Sequence, residues 1–208
     1  MRTGKRERKN RNSSIFLTIR KMFVKRKKDQ HQRKVLMHRI ADVRGGVSIA
    51  KADIPSGAIA EGAIIAVADG KYHILPTALC VEALGATAKS VKVAKFHNFA
   101  VGQSVTKDAG AVASKITAID DSNKAYDVLT LSDAIGKVKV GESIVAAKAA
   151  TTSNDSVLLY EPFAVAGTSK DAEGDFVDVD AWLIGVTANL QAPASVINKM
   201  KGIVNIAK

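Results

Sequence analysis

The chain has 208 residues, with 31 Lys and Arg against 20 Asp and Glu, a formal net charge of +11. Its single cysteine, Cys80, excludes an intramolecular disulfide and a four-cysteine zinc site. No stretch approaches 18 uninterrupted apolar residues, so no transmembrane helix is expected.

The charge is concentrated at one end. Residues 1–45 hold 16 basic and 3 acidic side chains, whereas residues 46–208 hold 15 and 17. All nine arginines lie between Arg2 and Arg44, and all 32 alanines lie at or after Ala41. The composition therefore predicts a basic N-terminal arm over 1–45 and a near-neutral body over 46–208.

Residues 1–12 are polar and basic and cannot bury enough apolar surface to order themselves, so they read as disordered. Ile15, Ile19, Met22 and Phe23 then share one helix face, with Ser13 or Ser14 as a possible N-cap. Lys25-Arg26-Lys27-Lys28 follows directly. A short basic amphipathic helix suits an anionic membrane surface, phosphates or a protein groove. A solvated tail carrying a few stray apolar residues is the plain alternative. The candidate partner-contact residues of the arm are Arg20, Lys21, Lys25, Arg26, Lys27, Lys28, Arg33 and Lys34. Arg20 and Lys21 break the apolar run and no small-residue cleavage site follows, so a signal peptide is not expected. Met37 stands where the composition changes. A chain read from Met37 has 17 basic and 18 acidic residues, so a start there would remove the basic character altogether.

The body reads as all-β, a small β-barrel or β-sandwich, with a short C-terminal helix. Ile64–Ala68 and Lys71–Leu75 flank Asp69-Gly70, a hairpin signal because a type I′ turn needs positive φ at both central residues. Ser90–Lys95 alternates polar and apolar residues as a half-buried strand does. Ile116–Ile119 and Asp127–Leu131 enclose a polar turn cluster, Asp120 to Lys124, and predict a second hairpin. Val157–Tyr160 reads as a strand, and Asp175–Leu190 as the longest one. Ala194–Met200 is the one helical stretch, with Gly202 available as a stop. Gly62, Gly102 and Gly141, spaced by 40 and 39 residues, each precede a β-branched residue by two or three places. Such glycines allow tight entry into a strand.

Reactive chemistry is sparse. His31, His38, His73 and His97 have no metal-ligand spacing with one another or with cysteine or carboxylates. Cys80 lies in an apolar run and reads as a buried, inert thiol. There is no phosphate-binding P-loop, G-x-S-x-G elbow or dinucleotide fingerprint. Asp120, Asp121, Asn123 and Asp127 lack the central glycine and terminal glutamate of an EF-hand and read as a hairpin turn. Asp178 and Asp180 fall on one face of a strand, either simply solvated or around a metal on an oligomer axis. Aromatic content of 5% is too low for a base-stacking platform. The expectation is a non-enzymatic protein with no catalytic, metal or cofactor residues.

Two runs carry a resemblance. Lys95-Phe96-His97-Asn98-Phe99-Ala100-Val101-Gly102 and Ile116-Thr117-Ala118-Ile119-Asp120-Asp121-Ser122-Asn123, continuing through Tyr126-Asp127-Val128-Leu129-Thr130, occur in this order. Gly136, Val140-Gly141-Glu142-Ser143-Ile144 and Leu159-Tyr160-Glu161-Pro162 then follow. Over roughly Ala52 to Ala188 the chain resembles the head-fibre or capsid-decoration proteins of tailed bacteriophages. The resemblance implies a virion structural protein on the outside of the capsid, bound to the major capsid protein and trimeric. The chain departs from that pattern in its basic arm, since members of the family begin near the position of Met37. It also has no long fibrous extension after Lys208, which favours a compact decoration or fibre-anchor protein. The competing expectation, from charge alone, is nucleic-acid binding through phosphate contacts of the arm.

Overall fold

The computed structural model describes residues 35–206. The expected disorder, the short basic helix and the eight candidate arm residues from Arg20 to Lys34 lie outside the described residues.

The described chain is built almost wholly of strands. The first five are β1 (Leu36–Asp42), β2 (Val47–Ala50), β3 (Ala58–Ile59), β4 (Ile64–Ala68) and β5 (Lys71–Leu75). Then come β6 (Thr77–Leu79), β7 (Ser90–Ala94), β8 (Ser104–Thr106), β9 (Ala113–Asp120), β10 (Tyr126–Leu131) and β11 (Ser143–Ala147). The chain ends with β12 (Glu161–Ala166), β13 (Lys170–Asp171), β14 (Phe176–Val179), β15 (Ala181–Ala188), α1 (Ala194–Lys199) and β16 (Ile203–Ile206).

The larger sheet curls until its ladders form a circuit. β2 pairs with β14 on one side and touches β5 through a single parallel pair, Ile49 with Tyr72. β5 pairs with β4, β4 with β12, and β12 with β15. Only Asp180 separates β14 from β15, so one kinked strand serves both ends of the circuit. Val47, Ile49, Ile65, Ile74, Val177 and Val179 pack together in the enclosed core. The short β3–β13 pair accompanies this barrel.

The smaller sheet is inserted between β5 and β12 and closes in the same way. Its order is β6-β11-β8-β9-β10-β7, and an antiparallel bridge from Cys80 to Val93 joins the two ends. Val91, Val93, Val105, Ile116, Leu129 and Ile144 are buried in one cluster here. The described body is therefore almost all β, a curled half-barrel sheet with a second, smaller curled sheet inserted into it; these are called the first and second barrel below.

The apolar run of β4 and the apolar ends of β5 and β12 follow from this arrangement. Ile65, Ile74 and Ala164 point into the first core, while their neighbours Ile64, Leu75 and Val165 belong to the second cluster. A strand with both faces buried has no reason to alternate apolar and polar residues. Val196, Met200 and Ile203 extend the second cluster, so α1 packs as a lid over this wall.

Several expectations hold. Asp69 and Gly70 both have positive φ, 49° and 72°, between antiparallel β4 and β5. β9 and β10 pair as the second hairpin, its turn fastened by Asp120 accepting from Ser122 N–H and Asn123 from Ala125 N–H. The C-terminal helix spans Ala194–Lys199.

Others need correction. The arm does not extend to residue 45: β1 runs antiparallel to β15, and buried Val35 accepts a hydrogen bond from Ala188 N–H. Composition missed this because β1 is an outer strand whose exposed positions tolerate Arg39 and His38. Val157–Tyr160 is not a strand; Leu158 makes one isolated bridge to Ala147, and the strand begins at Glu161. The long strand breaks at Asp180, whose carboxylate accepts from Thr168 Oγ1 and Trp182 Nε1 instead of projecting freely beside Asp178. β16 was not foreseen; it lies parallel to β15.

Candidate functional site

Three places in the body bring polar or exposed apolar groups together. The first is the run that carries the resemblance. Leaving β7, the chain turns sharply at Phe96 and Asn98, which have φ of 64° and 57°. Asn98 is 2% exposed and reaches back to the first barrel. Its Oδ1 accepts from Ser56 Oγ at 2.6 Å, and its Nδ2 donates to the Ala58 carbonyl at 3.3 Å.

His97 beside it is fully committed. Phe99 N–H donates to His97 Nδ1 at 2.9 Å, which leaves the proton on Nε2, 3.3 Å from Asp127 Oδ2. Lys95 Nζ contacts the other oxygen of the same carboxylate and donates to the Asp121 carbonyl at 2.9 Å. Burial pushes the His97 pKa down; Asp127 opposes this and Lys95 adds to it. With one nitrogen accepting from the backbone and the other donating to Asp127, His97 has no free lone pair for general-base work. A cleft of about 480 Å³ lies over this group, lined by Ser56, Phe96, Phe99 and Ile119. The group reads as a clasp that fastens the inserted barrel to the first one.

His73 has a different partner: its Nδ1 lies 2.7 Å from Asp53 Oδ2, and its ring stacks on Tyr160 at 4.5 Å. Cys80 is buried, and its pKa is raised to about 11, first by desolvation and then by Glu142. Among the described residues, no three His, Cys, Asp or Glu side chains are grouped to hold a metal ion.

The second place is a cleft of about 790 Å³ bordered by Lys107, Lys137 and Lys139, with Leu84, Val138 and Leu190 among its lining. Its two carboxylates serve the backbone: Asp108 accepts from Ala109 and Ser195 N–H, and Glu142 from Lys139 N–H.

The third place is the outer face of β1, β15 and β16. Register puts Val186 beside Val204 and Ala188 beside Ile206, so Ile184, Val186, Val204 and Ile206 share one side of the sheet. Ile184, Val204 and Ile206 are 42%, 59% and 45% exposed. Register shifts in β1 skip Met37 and Ile40, which stand out at 54% and 64% exposure. Sequence reasoning missed this face because β16 was not foreseen and β1 was assigned to the arm.

The three spaced glycines are equivalent in structure. Gly62, Gly102 and Gly141 have φ of 84°, 93° and 84°. Each is the third residue of a turn closed by a hydrogen bond, Ala63 to Ala60, Gln103 to Ala100 and Glu142 to Lys139. Each turn leads into a strand: β4, β8 and β11.

No protein family model, curated protein or solved structure matches this chain. No described helix is long and apolar enough to cross a membrane.

Proposed function

We propose that the chain is a virion structural protein, a decoration or head-fibre anchor protein that binds the outside of a tailed-phage capsid through the major capsid protein, as a trimer. The observation that carries this reading is the part played by the K-x-H-N-F run. The residues that resemble the phage proteins form a clasp between two barrels, with His97 held at both ring nitrogens. A rigid body presenting apolar side chains on an outer face suits a protein that works by surface complementarity. Mass spectrometry of purified virions tests the reading: the protein is expected at stoichiometric copy number, and its absence from particles defeats it.

A second reading rests on the charge of residues 1–45, 16 basic against 3 acidic. An arm contacting phosphates gives nucleic-acid binding that weakens steeply with salt. Binding that is insensitive to salt, or unchanged on deleting residues 1–34, defeats that reading.

A further inference from the structure

Ser143 opens β11 and lines the cleft of about 790 Å³ between the second barrel and the segment that leads into α1. Eight polar or charged residues are buried among the described ones. Seven of them hydrogen-bond through their side chains. Ser143, 9% exposed, is the eighth, and its hydroxyl has no partner among the described residues. Burying a hydroxyl without a partner is costly, so such a group at the wall of a cleft points to something that binds there. The buried side chains beside it are apolar: Leu84, Val138 and Leu190. The rim is charged. Lys107, Lys137 and Lys139 stand exposed there, and no carboxylate among the described residues pairs with them. Two carboxylates share the lining, and both are engaged by the backbone: Asp108 accepts from Ala109 and Ser195 N–H, and Glu142 from Lys139 N–H. Of the acidic neighbours in sequence, Glu82 pairs with Lys92 and Asp133 with Lys89. Three ammonium groups against two carboxylates leave the cleft with one positive charge.

We propose that this cleft binds a small amphipathic monocarboxylate, an apolar chain with one carboxylate at its end. The carboxylate accepts from the Ser143 hydroxyl and is held by the lysine ammonium groups, because hydrogen bonds to an ionised acceptor are the strong ones. The chain covers Leu84, Val138 and Leu190. Each part of the site disfavours a simpler ligand. Inorganic phosphate would answer the lysines and leave the apolar wall in water. A neutral hydrocarbon would cover that wall and leave both the Ser143 hydroxyl and the positive charge unanswered. The volume lies in the range of sites for small organic ligands. The inference goes beyond the virion reading and does not depend on it.

The experiment is isothermal titration calorimetry of the full chain with decanoate, methyl decanoate and inorganic phosphate. Wild type, Ser143→Ala, Lys137→Ala with Lys139→Ala, and Lys124→Ala with Lys148→Ala are compared. Lys124 and Lys148 are exposed outside the cleft, so the last variant removes the same charge elsewhere. The expected result is a saturable decanoate site that is about tenfold weaker in each of the two cleft variants and unchanged in the control. Methyl decanoate and phosphate should bind wild type about tenfold more weakly than decanoate, or worse. An amide map of wild type by nuclear magnetic resonance locates the ligand without any variant: the amides of Leu84, Val138 and Ser143 should move on adding decanoate. If a cleft variant melts early, this map decides in its place. No saturable decanoate site means that the cleft holds solvent only, and overturns the proposal. Amide shifts confined to residues outside the lining, or equal binding by wild type and both cleft variants, overturn the choice of this cleft. Methyl decanoate binding as tightly as decanoate overturns the anionic head, and phosphate binding as tightly overturns the apolar chain.

Discussion

Ser56 and Asn98 belong to different barrels, and the Ser56 hydroxyl donates to Asn98 Oδ1 across 2.6 Å. This contact joins a turn before β3 to the segment that leaves β7, 42 residues later. The side chain of Asn98 is satisfied only by the first barrel, and its backbone stands in the left-handed region, where asparagine is better tolerated than most residues.

Asn98→Ala should therefore act twice. It removes the bonds of the Asn98 amide to Ser56 and to the Ala58 carbonyl, leaving the latter two only their own 2.9 Å bond, and it puts at positive φ a residue that tolerates that conformation less well than asparagine. The expected cost is about 3 kcal/mol in a urea titration. Asn98→Gly removes the same hydrogen bonds without the steric term and should cost less. Equal losses for the two would remove the backbone part of the argument.

The clasp also predicts a pH dependence. The native pKa of His97 is lowered mainly by burial, whereas an unfolded histidine titrates near its ordinary value of 6.5. Below 6.5 the unfolded chain takes up a proton that the native site resists, so the unfolded state binds more protons and stability falls as the pH falls. The stabilisation is fully present above 6.5 and is lost as the pH drops below it. Protonation at Nδ1 also ejects the Phe99 N–H. Urea midpoints from pH 7.5 to 5 should fall in wild type and flatten in His97→Gln; parallel curves would exclude His97 as the source.

Two of the turn glycines, Gly62 and Gly141, should differ in a definite order. Gly141→Ala meets no atom within 4 Å, so only its positive φ is at stake, at about 1 kcal/mol. Gly62→Ala has the same backbone problem and also puts a Cβ 3.0 Å from the Cβ and Cγ1 of buried Val35. Thermal denaturation should rank Gly62→Ala as clearly the more damaging. A reversed order would mean that the wall behind Gly62 yields more easily than its burial implies.

Cys80 should be silent in the native protein. With its pKa at about 11 and its side chain buried, the thiolate fraction at pH 8 is small and out of reach. Iodoacetamide should label it only after denaturation, as read by intact mass. Rapid labelling of the folded chain would show that the bridge from Cys80 to Val93 opens readily.

Val35 and Leu36 supply a test of where the body begins. Their N–H groups both donate to Glu61 Oε1, at 2.8 and 2.9 Å, and Val35 is 2% exposed. A chain that starts at Met37 loses this anchor and the burial of one valine, worth about 1.5–3 kcal/mol. A chain that starts at His31 keeps both. Comparing their melting temperatures should show the shorter one to be less stable; equal values would place β1 outside the cooperative unit.

Part of the fold was legible from local signals. The Asp69-Gly70 hairpin, the β9–β10 hairpin and the glycine-led turns are set by backbone dihedrals that few residues adopt, so the residue names announce them. The alternation in β7 was legible because one face of that strand is buried and the other is not. Val157–Tyr160 misled because Leu158, Leu159 and Tyr160 pack against the core without a long ladder. Asp175–Leu190 misled because alternation continues through a kink; only the bonds of Asp180 to Thr168 and Trp182 show where the strand bends.

The outer face and the clasp were not legible for a common reason. The composition of β1 resembles the arm, and its place is revealed only by its ladder with β15, nearly 150 residues later in the chain. The K-x-H-N-F run is visible as a pattern, but nothing local says that Asn98 is answered by Ser56 or His97 by Asp127.

The sequence by itself determined the charge division, the all-β class, the tight turns and the short terminal helix, because composition and dihedral preference act over a few residues. The tertiary structure decided that β5 and β12 hold a second barrel between them, and that β4, β5 and β12 wall two cores at once. It also decided that β1 and β16, from opposite ends of the body, both pair with β15. Those outcomes depend on hydrogen-bonded ladders between strands far apart in the chain, where a residue's neighbours are chosen by closure of the sheet and not by its own sequence.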